Sequence, residues 1–331
     1  MNNKRTIVQT NPTVDGEASL AIRAAWLAYV GNFTQEAIAD RLGVSRIKAQ
    51  RLVASAMQNG LVKFFVEGVP AECLLLEDSL SATFNLRRCI VVPDTETPGQ
   101  DNVLYGVAVA AAGYLHRLLM AGSVSTIGIG HGRTLAAMVN ALPRMNLTDS
   151  RFVSLLGSLT RRSAANPFDV IARLAERTGG ECYFMPVPFI ADSVGDAEVL
   201  CAQRGVQDVF RLARECQLCI VGIADLKPDT HLLRSQTLTE AELESARSAG
   251  AVGELAGCFV AADGKQIEHE MNKRVVGVSL EDLRGRDVLA VAGGRNKADA
   301  IRAVLRTGVV TALIVDEATA KAVLLMNGET V

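Results

Sequence analysis

Two glycine-rich segments of the sequence carry residue types that bind phosphate groups. Residues 128–134 read GIGHGRT, and residues 292–297 read AGGRNK. Each segment follows a short apolar run and precedes a helical pattern, so backbone N–H groups beside the glycines can approach a ligand and the helix dipole favours an anion. Arg133, Thr134 and Lys297 add hydrogen-bond donors, two of them positively charged. We therefore predict a site for a small molecule that bears a phosphate.

Neither segment matches a known nucleotide-binding motif. The first lacks the third glycine of the dinucleotide fingerprint, and no Gly-Lys-Ser/Thr follows it as in a P-loop. A tight structural turn produces the same glycine pattern, so a purely structural interpretation of either loop stays open.

Further hydrogen-bonding residues follow other predicted strands and are candidates to hold the hydroxyl groups of a ligand. In chain order they are Gly157, Ser158, Asn166, Asp192, Asp225 and Glu254. Each also has a plainer interpretation: Asn-Pro before a helix is a common start signal, and a loop carboxylate is usually solvent-exposed.

The elements that must position these loops alternate between strands and helices, which predicts an α/β fold with a parallel, Rossmann-like sheet. Predicted strands, rich in Val, Ile and Leu, cover residues 89–92, 125–129, 152–156, 181–185, 218–223, 275–278, 288–292 and 312–315. Predicted helices cover residues 101–120, 134–142, 168–177, 207–215, 240–248, 297–306 and 317–325. Ligands of such sheets bind at the carboxyl ends of the strands, where both glycine-rich loops lie.

The first seventy residues have a different organisation. Apolar residues at three- and four-residue spacing predict a helix from Glu17 to Val30, and Thr34 is a good N-cap for a second helix ending at Leu42. Ser45 caps a third, whose inner face is Ala49, Leu52, Val53 and Ala56, and a strand is predicted over residues 61–66. We predict a helix-turn-helix DNA-binding domain over residues 1–70 and a ligand-binding and oligomerisation domain over residues 71–331.

The start of the third helix would read the DNA. Arg46 and Gln50 lie four residues apart and so share one face, where Arg pairs with guanine and Gln with adenine, and Ile47 is placed to touch a thymine methyl. The other predicted DNA contacts, mainly to phosphates, are Thr34, Gln35, Arg41, Ser45, Lys48 and Arg51. A small helical hairpin with solvated charges is the structural alternative. Since one such domain contacts little DNA, we expect two heads to bind double-stranded operator DNA together.

Charge is distributed unevenly. The whole chain has a formal net charge of −2, which by itself does not favour a nucleic-acid partner. Residues 1–68 hold eight basic and five acidic side chains, a net charge of +3, so the remainder carries −5. A basic DNA-binding segment on an acidic body fits this division.

The seven cysteines, an odd number within apolar runs, predict reduced and buried thiols in a cytoplasmic protein. Cys216-x-x-Cys219 has no second pair or nearby His to complete a zinc site, so no metal or cofactor is expected. The stretch from Val103 to Leu115 is shorter than the roughly 18 residues of a membrane span. No signal peptide or membrane segment is predicted.

The sequence resembles the SorC family of bacterial sugar-binding transcriptional regulators, which is grouped with DeoR-type regulators. Four segments carry the resemblance: TQEAIADRLGVSRIKAQRLVASAMQNGLVKFFV, GIGHGRTL, GELAGCFVAADGK and VVGVSLEDLRGRDVLAVAGGRNKADAIRAVLRTGVVTALIVDEATAKAVL. The last segment is the most specific, because it joins the AGG-x-x-K loop to the terminal strand and helix.

The resemblance implies a helix-turn-helix joined to an effector domain similar to sugar-phosphate isomerases of the glucosamine-6-phosphate deaminase and ribose-5-phosphate isomerase type. It also implies a homodimer or homotetramer whose operator binding responds to a phosphorylated sugar or polyol. The residues implied on the phosphate side are Gly128, Gly130, Gly132, Arg133, Thr134, Gly293, Gly294 and Lys297. Glu254 stands at the acidic position of the family, and His131 stands where the family often has another residue.

Two other classes of function remain at this stage. An active sugar-phosphate isomerase or deaminase would need a positioned base, for which His131 with Asp192 or Glu254 is a candidate. Only four histidines occur, and none pairs with an acid in a motif beside either glycine-rich loop, so the sequence favours a regulator over an enzyme. A body that only oligomerises, with a decayed sugar site, is the third possibility.

Overall fold

A computed structural model describes residues 14–63, 68–94, 100–159 and 170–325 of the chain. It divides into two compact units, one within Met1–Phe64 and one within Phe65–Val331, which we call the head and the body.

The head is built from three helices. They are α1 (Val14–Ala25), which continues as a π-helical turn (Trp26–Val30), α2 (Gln35–Leu42) and α3 (Arg46–Gln58). The Thr34 hydroxyl accepts a hydrogen bond from the Ala37 N–H at 3.3 Å, and the Ser45 hydroxyl accepts one from the Lys48 N–H at 3.2 Å. Gly43 adopts the left-handed φ of +64° that the tight turn requires. The predicted helix-turn-helix is confirmed.

The head core joins all three helices. Its fully buried side chains come from α1, α2 and α3 and are Ala21, Ala24, Ala25, Ile38, Ala39, Ala49, Leu52 and Ala56. Small alanines at the crossings let the helices approach closely. The strand predicted over residues 61–66 is absent from described residues 61–63, and residues 64–66 lie outside the described part.

The body contains ten strands and twelve helices among its described residues. The strands are β1 (Arg88–Val92), β2 (Thr126–Ile129), β3 (Arg151–Leu159), β4 (Glu181–Pro188), β5 (Leu218–Val221), β6 (Ala224–Asp225), β7 (Ala251–Leu255), β8 (Cys258–Ala261), β9 (Val288–Val291) and β10 (Ala312–Asp316). The helices are α4 (Ala71–Phe84), α5 (Gln100–Met120), α6 (Arg133–Ala141), α7 (Ile171–Thr178), α8 (Val194–Ala202), α9 (Arg204–Arg214), α10 (His231–Arg234), α11 (Glu240–Ser248), α12 (Glu270–Arg274), α13 (Leu280–Leu283), α14 (Ala298–Arg306) and α15 (Glu317–Leu325).

Seven strands form one parallel sheet in the order β1-β10-β9-β5-β2-β3-β4. From β2 the chain moves outward to β3 and β4, whereas from β5 it moves the opposite way to β9 and β10. The neighbouring strands β2 and β5 therefore form a topological switch point, where open parallel sheets bind ligands. The strands β6, β7 and β8 form a separate antiparallel sheet.

The parallel sheet is buried on both faces. Ile127, Phe152 and Leu218 point toward α5, α6 and α7. Val153, Cys219 and Val288 point to the opposite face, which α4, α9, α11, α14 and α15 cover together with the small sheet. Burial on both faces explains why these strands are continuous runs of Val, Ile and Leu.

Several element predictions were wrong. Residues 275–278 form no strand, because Val275 and Gly277 make only isolated bridges to Ile190 and Leu156. Strand β3 continues to Leu159, so the loop predicted after residue 156 lies within the sheet. Helices α4 and α8 and the small antiparallel sheet were not predicted from the sequence.

Helix α5 contains one segment, Val103–Met120, that is long and apolar enough to cross a membrane by length and composition, with a mean hydropathy of 1.4. This stretch is longer than the one identified in the sequence, because Arg117 lies inside the helix. Val107, Ala111 and Leu115 are fully buried against the parallel sheet. In this fold α5 is a core helix of the body.

Gly157 in β3 packs closely against the backbone of the edge strand β4. A Cβ atom at this position would lie 2.5 Å from the Pro188 carbonyl oxygen and 2.6 Å from the Val187 oxygen, and these backbone atoms cannot move without disturbing β4. We expect Gly157→Ala to lower the free energy of unfolding by about 1–3 kcal/mol in urea titrations. Gly205→Ala on α9 is the control, because nothing lies within 4 Å of its Cβ position. Equal stability of the two variants would contradict this account.

Candidate functional site

A cavity opens at the switch point, beyond the carboxyl ends of β2, β5 and β9. It has two adjoining compartments that share Arg133, Thr134, Ala224, His231 and Lys297 as a common wall. The Glu254 compartment is further lined by Gly130, His131, Gly132, Leu135, Leu156, Phe189, Val221, Gly222, Ile223, Leu232, Ser235, Thr237, Glu254 and Ala256. The Asp225 compartment is further lined by Leu104, Asp225, Asp229, Thr230, Arg234, Gly293, Gly294 and Asn296.

The first glycine-rich loop forms the rim of the Glu254 compartment. The Gly130 N–H donates to the Ile220 carbonyl at 2.9 Å, which holds the loop to β5. Gly132 is the N-cap of α6 with a φ of +137° and has no side chain to cap the first helical turn. The turn that begins with Arg133 and Thr134 thus presents backbone N–H groups and a positive dipole end to the cavity.

The second glycine-rich loop brings Lys297 to the shared wall. A single 3₁₀ turn, Arg295–Lys297, follows Gly294, and the Lys297 Nζ donates to the Ile223 carbonyl at 3.2 Å. Burial lowers the pKa of Lys297, and the nearby positive charge of Arg133 lowers it further, while Asp225 and Glu254 oppose the shift. An anion on this wall would interact favourably with both cations.

Glu254 faces the same cavity from β7 and is 7% exposed. The Gly257 N–H donates to one of its carboxylate oxygens. Burial raises its pKa to about 7, against the opposing influence of that hydrogen bond and of Lys297. At neutral pH the group is therefore present in both protonation states, and it can accept hydrogen bonds from ligand hydroxyls or donate one.

His231, at the start of the short helix α10, lies on the shared wall. Burial lowers its pKa to about 4, and the positive charges of Arg133 and Lys297 contribute. The imidazole is neutral at pH 7 and offers one donor and one acceptor nitrogen. His131 packs edge-to-face on Phe189, with ring centroids 5.0 Å apart.

The structure brings together most, but not all, of the predicted effector residues. Those on the cavity are Gly130, His131, Gly132, Arg133, Thr134, Glu254, Gly293, Gly294 and Lys297. Gly128 lies within β2 instead, where a Cβ atom would come within 2.6 Å of the Leu155 Cδ2, so its role there is packing.

Three more predicted effector residues, Gly157, Ser158 and Asp192, do not line the cavity. Gly157 and Ser158 lie in β3, and the Ser158 hydroxyl is buried 3.4 Å from that of Ser154. Asp192 is an exposed residue after β4, and Asn166 lies outside the described residues.

Sequence reasoning missed the segment between β6 and α11, which supplies His231, Arg234, Ser235 and Thr237. It follows the two-residue strand β6 and contains the four-residue helix α10, and elements this short give no periodic signal. Asp225, the last residue of β6, was predicted as a candidate to hold ligand hydroxyls because it follows a predicted strand.

The predicted DNA-contact face of the head lies on the exposed side of α3. Arg46, Ile47, Lys48, Gln50 and Arg51 are exposed, with Ile47 72% exposed, whereas Ala49 between them is buried. An isoleucine that is this exposed adds little to the core of the head. The exposed surface of α3 therefore presents the residue types that read a major groove.

Three of the other predicted DNA contacts also have roles within the head. The Thr34 and Ser45 hydroxyls cap α2 and α3, as described above. The Arg41 guanidinium lies 4.0 Å from the centroid of the Phe33 ring, an arrangement that holds it by a cation–π interaction. Gln35 is exposed at the first position of α2.

The thiols are structural. All seven cysteines are free, and burial raises the pKa of Cys216 to about 12 and that of Cys219 to about 11. Within the described ranges, no group of three His, Cys, Asp or Glu side chains is arranged to hold a metal ion.

A helix-turn-helix and a switch-point cavity define a class of protein, the ligand-responsive DNA-binding regulator. The family model described as "Putative sugar-binding domain" matches residues 69–325. The chain belongs to this family of sugar-binding transcriptional regulators of the SorC/DeoR type, as the resemblance implied.

Relatives match over nearly the whole chain. The erythritol catabolism regulatory protein EryD of Brucella abortus is 44% identical over 310 residues, which are 94% of this chain and 98% of that protein. The transcriptional regulator LsrR of Klebsiella pneumoniae is 30% identical, over 94% of each chain. The full-length sorbitol operon regulator SorC of Klebsiella pneumoniae has the same fold, with a TM-score of 0.68 over 93% of this chain and 99% of that one at 20% identity. The chain is thus a regulator and not an enzyme.

The raised pKa of Glu254 makes stability depend on pH. In the folded state Glu254 has a pKa of about 7, whereas in the unfolded chain its pKa is the ordinary 4.5. The stabilisation from this group is complete below that lower pKa and is lost as pH rises through about 7. We expect Glu254→Gln to gain stability relative to wild type between pH 5 and pH 8, by roughly 2–3 kcal/mol in urea titrations. A difference that stays constant with pH would contradict the burial of this carboxyl.

Proposed function

We propose that this regulator binds operator DNA as a homodimer or homotetramer and that a phosphorylated sugar or polyol in the body cavity controls this binding. The DNA-binding domain would span residues 1–70 and the effector and oligomerisation domain residues 71–331. Because bacterial operator DNA lies in the cytoplasm, this function requires a cytoplasmic protein.

One observation carries the choice of a phosphorylated effector. Arg133, Lys297 and the first turn of α6 meet on the wall that both compartments share. Cations that lie close together in a partly buried site are energetically costly unless a counter-charge accompanies them. A phosphate supplies two negative charges and several acceptor oxygens, so it satisfies this wall better than a neutral sugar does.

The Glu254 compartment fits the hydroxyl-bearing part of the same ligand. Glu254, Ser235 and Thr237 line it with hydrogen-bonding groups, and Phe189 and Leu156 add apolar surface for carbon atoms. A relative that is named for erythritol catabolism supports a four-carbon polyol phosphate as the first compound to test.

Control of DNA binding follows from differential affinity. The effector must bind one arrangement of the paired bodies more tightly than another, because a ligand with equal affinity for both arrangements does not shift the equilibrium between them. In this proposal the arrangement sets the spacing of two heads on a palindromic operator, one helical turn of DNA apart.

Lys297→Ala tests the effector site. Gel-shift titrations on the promoter of the protein's own operon would use D-erythritol 4-phosphate, erythritol and a panel of other sugar and polyol phosphates. Removing a charged hydrogen-bond donor should raise the midpoint of the active phosphorylated compound about 10- to 100-fold, with DNA affinity unchanged. Lys265→Ala is the control, because Lys265 is exposed and pairs with Asp263 at 3.0 Å. If Lys297→Ala responds to the phosphorylated compound as wild type does, the proposed site is wrong. If no phosphorylated compound changes the gel shift of the wild-type protein, the proposed class of effector is wrong.

Arg46→Ala and Lys48→Ala test the head. If Arg46 pairs with a guanine, its loss should weaken operator binding by about 1–3 kcal/mol and relax sequence preference at one base pair. Loss of the phosphate contact of Lys48 should weaken all DNA sequences alike and reduce the salt slope by about one. Fluorescence anisotropy with operator and scrambled DNA at several salt concentrations separates the two. If Arg46→Ala leaves the ratio of operator affinity to scrambled-DNA affinity unchanged, Arg46 does not recognise a base.

A further inference from the structure

Asp316, the last residue of β10, has contacts that reach the second glycine-rich loop. It is 3% exposed, and its Oδ2 accepts the Gly294 N–H at 2.8 Å. Its Oδ1 accepts the Thr319 N–H at 2.9 Å, and the Thr319 hydroxyl lies 2.8 Å from Oδ1 and 2.7 Å from Oδ2. One carboxylate therefore caps α15 and also holds the loop that follows β9.

These bonds change the role of the glycine pair. The Gly294 N–H is directed at Asp316, so it is not a donor for a ligand in this structure. The loop lines the Asp225 compartment with Gly293, Gly294 and Asn296, and it brings Lys297 to the wall that both compartments share. The Lys297 backbone N–H donates to the Gly294 carbonyl at 2.8 Å and closes the 3₁₀ turn. One 3₁₀ turn thus connects Gly294, which Asp316 holds, to Lys297 on the shared wall.

The fit of the loop leaves no room for a side chain at Gly293. A Cβ atom there would lie 2.7 Å from the Asp316 Oδ2 and 3.0 Å from the Val107 Cγ2 of α5. Gly294 has a φ of +104°, which other residues rarely adopt. Both glycines are required by the contact with Asp316 and α5, whereas an anion cradle alone would require only backbone freedom.

We propose that Asp316 is a positioning residue for the effector, because its hydrogen bond to Gly294 sets the 3₁₀ turn that carries Lys297 to the phosphate. This inference rests on the proposed function. Asp316, a buried residue outside the cavity, would then contribute to the affinity for the phosphate group.

Asp316→Asn separates this role from helix capping. Asparagine is as good an N-cap as aspartate, but its side chain has one acceptor oxygen. If that oxygen caps Thr319, the amide group faces the Gly294 N–H and the two donors cannot bond. The variant therefore keeps α15 capped and releases the loop.

The probe is inorganic phosphate, measured by isothermal titration with the full chain. We expect Asp316→Asn to raise the Kd of phosphate about three- to tenfold and Lys297→Ala to raise it about tenfold or more. Asp316→Ser is a second variant, since serine also caps a helix but is too short to reach Gly294. Thr319→Val is the matched control: it removes a buried hydroxyl from the same cluster but leaves the Gly294 bond, so the Kd should stay at the wild-type value even if the Tm falls.

The outcomes distinguish the two proposals. The positioning role alone is overturned if Lys297→Ala weakens phosphate binding but Asp316→Asn and Asp316→Ser leave the Kd unchanged. An equal loss in Thr319→Val also overturns it, because the effect would then follow stability. If the wild-type chain binds no phosphate, or Lys297→Ala binds it as well as wild type, the proposed phosphate site itself fails.

Discussion

The divergence of the chain at β2 and β5 is the constraint on which the rest of the body depends. These strands are neighbours in the parallel sheet, yet their connections run to opposite halves of it. Because these connections leave in opposite directions, a crevice remains at the carboxyl ends of the two strands, and loops from distant parts of the sequence can enter it. Gly132, His231, Glu254 and Lys297 reach the same cavity for this reason, although more than 160 residues separate the first and last of them.

Electrostatics determines what this crevice can hold. Lys297 loses hydration in the partly buried wall and lies near Arg133, and both effects lower its pKa. Asp225 and Glu254 offset part of that cost, but Glu254 is itself so buried that its pKa is raised to about 7. The shared wall thus places the cations Arg133 and Lys297 near a carboxyl that is easily protonated. The proposed effector matches such a site, because a polyol or sugar phosphate has an anionic end and a hydroxyl-bearing end.

The head could be predicted almost completely from the sequence, and the body only in part. Thr34, Gly43 and Ser45 act within three or four residues of their own positions, so their types reveal the two caps and the turn. Strands of the parallel sheet were recognisable because burial on both faces makes them uniformly apolar. Residues 275–278 have the same apolar composition but only make isolated bridges, because composition does not specify a hydrogen-bonding partner.

By itself the sequence determined the helix-turn-helix, the α/β class of the body and the two glycine-rich loops that follow β2 and β9, because each depends on local propensity and on periodic burial. Only the tertiary structure decided which polar residues share the cavity. It excluded Gly128 and Ser158, whose surroundings are set by neighbouring strands, and it added His231 from a short helix. It also showed that the Gly294 N–H serves Asp316, a contact between residues 22 positions apart in the chain. Such contacts arise from strand order and side-chain packing, and neither is encoded in the spacing of nearby residues.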